Sequence, residues 1–211
     1  MTGFVKICGI NSNKSLEAVV SAGADAVGLV IGVPRSPRNI SLLQAKELRR
    51  RVQSSVKSIL VMVPRDLDTV IHAIKYVKPD MVQLHNIDFN TSNLDVPVIR
   101  AINNRTGLEK SQRIASECDL LLLDSYHKDK YGGTGKSQDL DCAERVIKQL
   151  APHPVILAGG LNPGNVSEAI RRTNPYGVDV SSGVEKSPGG KDAEKIRAFV
   201  EAARNIGEQI I

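Results

Sequence analysis

PVILAGGLNPGNVSEAIRRTNPYGVDVSSGV, residues 154–184, reads as strand, glycine turn, helix, strand, glycine turn. Pro154–Ala158 and Val178–Val180 are short, nearly continuous aliphatic runs, the pattern of strands covered on both faces in a parallel sheet. Between them Asn165 precedes Val166, Ala169 and Ile170 at helical spacing. Two parallel strands need a crossover of a dozen or more residues, and this helix supplies it.

The same unit repeats along the chain. Further strand-like runs are Val5–Ile10, Ala26–Ile31, Ser58–Val63, Met81–Leu84, Pro97–Ile102 and Leu120–Leu123. Helical patterns follow Asn13 and Ser15 up to Gly23, Ser41 with Leu42, Leu43, Ala45 and Leu48, and Asp66 up to Pro79. Others follow Asp139, up to Pro152, and run from about Asp192 to Asn205. Such alternation predicts an α/β protein with a parallel sheet, either open and doubly wound or closed as a (β/α)8 TIM barrel. Eight roughly equal units favour the closed, eight-stranded form. The fourth is thin, because polar Asn86–Asn93 offers only a stub of helix. No linker or low-complexity segment divides residues 1–211, so one barrel domain is expected.

Composition narrows the function. The 211 residues carry 28 basic and 23 acidic side chains, a net charge of +5, yet aromatic residues make up only 3%. The core must be aliphatic, and stacking platforms for single-stranded nucleic acid are scarce. Basic residues are dispersed, and the run Arg49–Arg50–Arg51 closes a helix, where cations meet the negative end of the dipole. Cys8, Cys118 and Cys142 have neither metal spacing nor the look of a disulfide framework, which suits a reducing cytoplasm. No apolar run approaches the roughly 20 residues of a membrane span, and the amino terminus enters a strand without a signal-peptide pattern.

In either architecture the chemistry gathers at the carboxyl ends of the strands. Those ends carry Cys8, the loop Pro34–Arg38, Gln83 with His85, Asp124, Gly159–Gly160 and Ser181–Ser182–Gly183. The two glycine turns follow the last two strands, where bared backbone N–H groups and serine hydroxyls can cradle a phosphate. Lys6 shares the face of Cys8, so its ammonium is expected to lower the thiol pKa. Asp124 leaves an apolar run, so its carboxyl is expected to stay protonated and act as an acid. Gly132–Ser137 ends like a P-loop but lacks the earlier glycine, Lys130 standing there instead, and reads as a lid over the barrel mouth.

Lys6–Ile10, Gly23–Gly28, Ser36–Ser41, Val82–His85, Leu122–Ser125, Tyr131–Lys136, Gly159–Pro163 and Val178–Glu185 together resemble phosphoribosylanthranilate isomerase. The matches run in order from about residue 5 to about residue 192. Asn86 stands where that family often has Gly, and Arg100 where Lys is commoner.

The resemblance implies a (β/α)8 barrel of tryptophan biosynthesis. Its reaction is the Amadori rearrangement of phosphoribosylanthranilate to a carboxyphenylamino-deoxyribulose phosphate. By that analogy Asp124 is the general acid that opens the sugar and Cys8 the base that takes the proton from its second carbon. Arg38 meets the anthranilate carboxylate, Gly159, Gly160, Ser181, Ser182 and Gly183 hold the phosphate, and Gln83, His85 and Asp179 line sugar and ring. No metal or cofactor is implied, and the partner is the small phosphorylated substrate, with no nucleic acid or membrane. The chain is expected to be a monomer or homodimer. A metal-dependent epimerase is disfavoured because His72, His127 and His153 fall away from the strand ends. A phosphate-binding module without catalysis would not need both Cys8 and Asp124.

Overall fold

The computed structural model describes residues 3–124 and 139–205. Eight parallel strands form the barrel: β1 Phe4–Cys8, β2 Ala26–Ile31, β3 Lys57–Met62, β4 Met81–Leu84, β5 Val98–Asn103, β6 Leu120–Asp124, β7 Val155–Ala158 and β8 Gly177–Val180. Each pairs with its sequence neighbours, and β8 returns to β1 with Lys6 opposite Asp179, so the sheet is closed. Closure settles the choice left between barrel and open sheet. A two-residue strand, Asn39–Ile40, adds to the outer end of β2.

Period two decides what lies inside. Cys8, Ala26, Val30, Ile59, Val61, Ile99, Leu122 and Ile156 pack together in the barrel interior. The alternate residues Val5, Ile7, Val27, Leu29, Leu60, Leu121, Leu123 and Leu157 meet the helices outside. Both layers are aliphatic, as the scarcity of aromatics required, and Phe199 is the one aromatic ring in the buried core of the described residues.

Seven helices surround the described barrel: α1 Asn13–Ser21, α2 Leu42–Arg51, α3 Leu67–Val77, α4 Leu108–Ala115, α5 Leu140–Leu150, α6 Val166–Thr173 and α7 Ala193–Arg204. Their starts follow capping chemistry. Ser41 accepts from the Gln44 amide, Asp66 from Thr69, Asp139 from Cys142, and Asp192 from Glu194 and Lys195. For α1 the cap is Ser12 rather than the expected Asn13, while the expected Ser15 completes a capping box, its amide donating to Ser12 Oγ and its hydroxyl accepting from the Ser12 amide. Helix α4 carries too few apolar residues to show in the sequence; it buries only Ser111 and Ile114 and starts at Gly107 without a side-chain cap.

The fourth unit departs further from expectation. Residues 85–97 contain no helix at all, not even a stub. Ile87, Phe89, Leu94 and Val96 cover the barrel there as an irregular segment. Arg100 reaches outward from β5 into the space, buried, and its Nη2 donates to the Ile87 carbonyl at 3.1 Å.

At the amino ends of the strands one device recurs. Asp25, just before β2, accepts from the Val5 amide of β1 at 2.6 Å. Asp80, before β4, accepts from the Ser58 amide of β3 at 2.8 Å, and Asp119, before β6, from the Val98 amide of β5 at 2.8 Å. Each carboxylate closes an otherwise open strand start with a charge-assisted hydrogen bond. Asp80 also takes the Ser58 hydroxyl at 2.7 Å and Arg49 at 3.0 Å. Asp80→Ala is therefore expected to destabilise the protein by about 2–3 kcal/mol in urea denaturation while leaving kcat within about twofold.

Candidate active site

A cavity of about 420 Å³ opens at the carboxyl ends of the strands. Its walls include Cys8 from β1, Gln83 from β4 with His85 just beyond, Asp124 from β6, Gly159 and Gly160 after β7, and Asp179, Ser181 and Ser182 at the end of β8. Nine of the eleven residues expected from the sequence thus share one space. A second hollow, of about 460 Å³, lies at the opposite end around Pro97 and Asp119. It is no smaller, but its thiol, Cys118, is pushed by burial up to about 11 and its carboxylate Asp119 is engaged by β5.

The floor of the first cavity is charged. Lys6 has no exposed surface, and its Nζ lies 3.0 Å from Asp179 Oδ1. Strand alternation puts Lys6 one layer below Cys8, and register puts Asp179 beside it. Burial pulls the Lys6 ammonium down, but Asp179 and Cys8 together hold it above its ordinary value. For Asp179 and Cys8 burial prevails, and both are raised despite Lys6.

This corrects the expectation of a lowered Cys8 pKa. Lys6 is near, as its position on the strand required, but its charge is committed to Asp179, whose carboxylate also opposes a thiolate. The resting form is a thiol beside an ion pair. Gly28 leaves the thiol its room, since a Cβ there would stand 2.8 Å from Sγ. Asp179→Asn would free the ammonium and lower the Cys8 pKa. Iodoacetamide labelling of Cys8 at pH 7.5, followed by peptide mass spectrometry, should speed up about tenfold or more in that variant.

His85 is also desolvated. Burial, helped by the Lys6 charge, lowers it to about 4. It is neutral at pH 7, and its Nε2 accepts from the Gln83 amide nitrogen at 2.8 Å, which places the ring proton on Nδ1. Gln83 Oε1, buried, has no hydrogen-bond partner among the described residues. Because an unfolded histidine takes its proton near 6.5 and this one near 4, the unfolded state gains protons first as pH falls. Between pH 6.5 and 4 the wild type should lose up to roughly 3 kcal/mol that His85→Gln does not lose, measured by urea denaturation across that range.

Asp124 ends β6 and is exposed. Leu121 and Leu123 of the run before it meet the helices and Leu122 the barrel interior, so among the described residues the apolar run does not enclose the exposed carboxyl. The proposed lid, Gly132–Ser137, lies outside the described residues.

The glycine turns lie side by side. Gly159 and Gly160 have φ of 89° and 71°, a region in which a Cβ would be strained. Asn165 braces them, its Nδ2 donating to the Gly160 carbonyl at 3.0 Å and its Oδ1 accepting from Asn162 N at 2.8 Å. Gly183 sits in a short 3-10 turn, Ser182–Val184, pressed against the Leu161 carbonyl where a Cβ would collide. It holds the two turns together rather than lining the cavity.

Arg38 lies beside the cavity, packed over Gly9, immediately after Cys8. Its Nε and Nη2 donate to the two oxygens of Glu185 at 2.7 and 2.8 Å. Glu185 also accepts from Lys191 at 2.9 Å and from the Gly189 amide at 3.2 Å. Burial would raise this carboxyl, but Arg38 and Lys191 hold it below its usual value; burial lowers Lys191 against the pull of Glu185. Sequence reasoning missed Glu185 and Lys191 as site residues. The turn Pro188–Gly189–Gly190 was a signal for the small hairpin, Glu185–Ser187 with Gly190–Lys191, that carries them.

Residues 5–202 match the family model of N-(5'-phosphoribosyl)anthranilate (PRA) isomerase. The chain belongs to that family. It is 42% identical over 210 residues to the N-(5'-phosphoribosyl)anthranilate isomerase of Haloferax volcanii, covering 95% of this chain and 92% of the relative. Among solved structures it resembles the phosphoribosyl anthranilate isomerase of Thermotoga maritima, with 33% identity, a TM-score of 0.79, and 95% and 98% of the two chains covered. Another solved phosphoribosyl anthranilate isomerase, with 31% identity, a TM-score of 0.79 and 95% and 97% of the two chains covered, is in complex with reduced 1-(o-carboxyphenylamino)-1-deoxyribulose 5-phosphate.

Proposed function

We propose that this chain catalyses the Amadori rearrangement of N-(5-phosphoribosyl)anthranilate to 1-(2-carboxyphenylamino)-1-deoxyribulose 5-phosphate, the third step of tryptophan synthesis from chorismate. The observation that carries this reading is the meeting of Cys8, from β1, and Asp124, from β6, at one cavity flanked by the glycine turns. Asp124 gives a proton to the ribose ring oxygen, and the ring opens to a protonated Schiff base. Cys8, as thiolate, takes the proton from the sugar's second carbon, and the resulting enolamine tautomerises to the ketone. The net change is an isomerisation, so the two groups return to their starting protonation states. Burial raises the proton affinity of Cys8, which makes its thiolate a strong base for a C–H proton while reducing its population at neutral pH.

The turns at Gly159–Gly160 and Ser181–Ser182 receive the phosphate, with Gly183 joining the two turns behind them, Arg38 receives the carboxylate, and Gln83, His85 and Asp179 the sugar and ring. The unpartnered Gln83 oxygen is ready to accept from a sugar hydroxyl. The small phosphorylated substrate is the partner this site supports. Three free cysteines suit a cytoplasmic setting, and no described helix is long and apolar enough to cross a membrane. A monomer or a homodimer is compatible with this fold; the Thermotoga maritima relative is described as dimeric.

Removing either proton-transfer group should cost roughly 10²–10⁴-fold in kcat. Cys8→Ser and Asp124→Asn are to be assayed by the loss of substrate fluorescence, with thermal melts showing both folded. Near-wild-type turnover in either variant would exclude the assigned role.

A further inference from the structure

Arg38, Glu185 and Lys191 form a charge cluster beside Cys8 that the proton-transfer chemistry does not use. The guanidinium gives Glu185 its side edge, through Nε and Nη2. Its end edge, formed by Nη1 and the second N–H of Nη2, is a separate donor pair able to grip another carboxylate. The Arg38 side chain is 23% exposed, whereas those of Glu185 and Lys191 are 5% and 1% exposed. An open guanidinium therefore stands on a closed ion pair.

Charge counting shows why the buried lysine matters. Arg38 and Glu185 alone sum to zero, and a second carboxylate would meet a neutralised pair. With Lys191 bonded to Glu185 at 2.9 Å and to the Ser181 carbonyl at 2.8 Å, the cluster keeps one positive charge. We propose that Lys191 is a specificity-determining residue: it cancels Glu185, so that Arg38, oriented by Glu185, keeps an unspent charge and an open edge for the substrate's carboxylate. Glu185 is the positioning residue in this arrangement. The hairpin holds the cluster in place through Gly189, packed on the Pro37 carbonyl, and through Asn11, whose Nδ2 donates to the Gly189 carbonyl at 2.9 Å. The inference rests on the reading of Arg38 as the carboxylate site.

The test compares kcat/KM for N-(5-phosphoribosyl)anthranilate and for its aniline analogue, which lacks the carboxylate. Wild type should prefer the carboxylated substrate by roughly 100-fold. In Lys191→Met, Glu185 keeps Arg38 as partner, so no charge is stranded; the preference should shrink at least tenfold, mostly through KM. Lys191→Met combined with Glu185→Gln restores the net charge of the cluster to +1 and should regain most of the preference. Lys191→Gln replaces the methionine variant if thermal melts show that it does not fold.

An equal loss on both substrates would mean that Lys191 only supports the fold or acts on Cys8, and would overturn the proposal. So would a double variant no better than Lys191→Met. If wild type turns over both substrates without preference, the carboxylate role of Arg38 falls and this inference with it. If wild type prefers the carboxylate and Lys191→Met keeps that preference, only this inference falls.

Discussion

An ammonium with no exposed surface, inside a barrel, is the constraint around which the site is arranged. Desolvating Lys6 and Asp179 costs several kcal/mol for each ion, and their mutual attraction repays that only in good geometry. A well-packed aliphatic pair would often be at least as stable. The pair is better understood by its reach: Lys6 acts on Asp179, on Cys8 one layer above, and on His85 across the barrel. One buried charge thus helps set the protonation of three groups lining the cavity. Removing either partner alone would strand the other and disturb all of them.

The two ends of the barrel divide the work. At the amino ends, Asp25, Asp80 and Asp119 fasten paired strands by carboxylate-to-amide bonds, and Arg204 ties the last helix to Asp25 and to the Gly3 carbonyl just before the first strand. These contacts add stability where no chemistry occurs. At the carboxyl ends the chain places two glycine turns and an exposed Asp124, features that stabilise nothing by themselves. A site built that way needs a frame clamped elsewhere, and the aspartate clips are part of that clamp.

Much of this was legible in the sequence because parallel strands and capped helices obey local rules. The aliphatic runs, the caps at Ser41, Asp66, Asp139 and Asp192, and the strand-end positions of Cys8, Asp124 and the glycine turns follow from spacing and residue type. Helix α4 was not legible, since a helix that buries only Ser111 and Ile114 leaves no apolar stripe. The helix-free fourth unit depends on Arg100 filling space across a turn of the barrel, which no local pattern encodes. The error over Cys8 has the same origin. Period two places Lys6 beneath the thiol, but only the register of β8 against β1 places Asp179 next to both. Glu185 and Arg38 are 147 residues apart in the chain, and their pairing is a tertiary fact.

The distribution of positive charge in the site follows from what a thiolate base requires. A cavity lined with free ammonium groups would bind a phosphate and a carboxylate tightly, but it would also lower the Cys8 pKa and blunt the thiolate as a base. Here the cations nearest Cys8 are each matched, Lys6 by Asp179 and Lys191 by Glu185. The proposed phosphate cradle uses backbone amides and serine hydroxyls, whose dipoles act over a shorter range than a net charge. The proposed carboxylate site uses one guanidinium held to the side over Gly9. Anion binding is thereby kept at the edges, and the centre, where the carbon-bound proton must be taken, stays close to neutral.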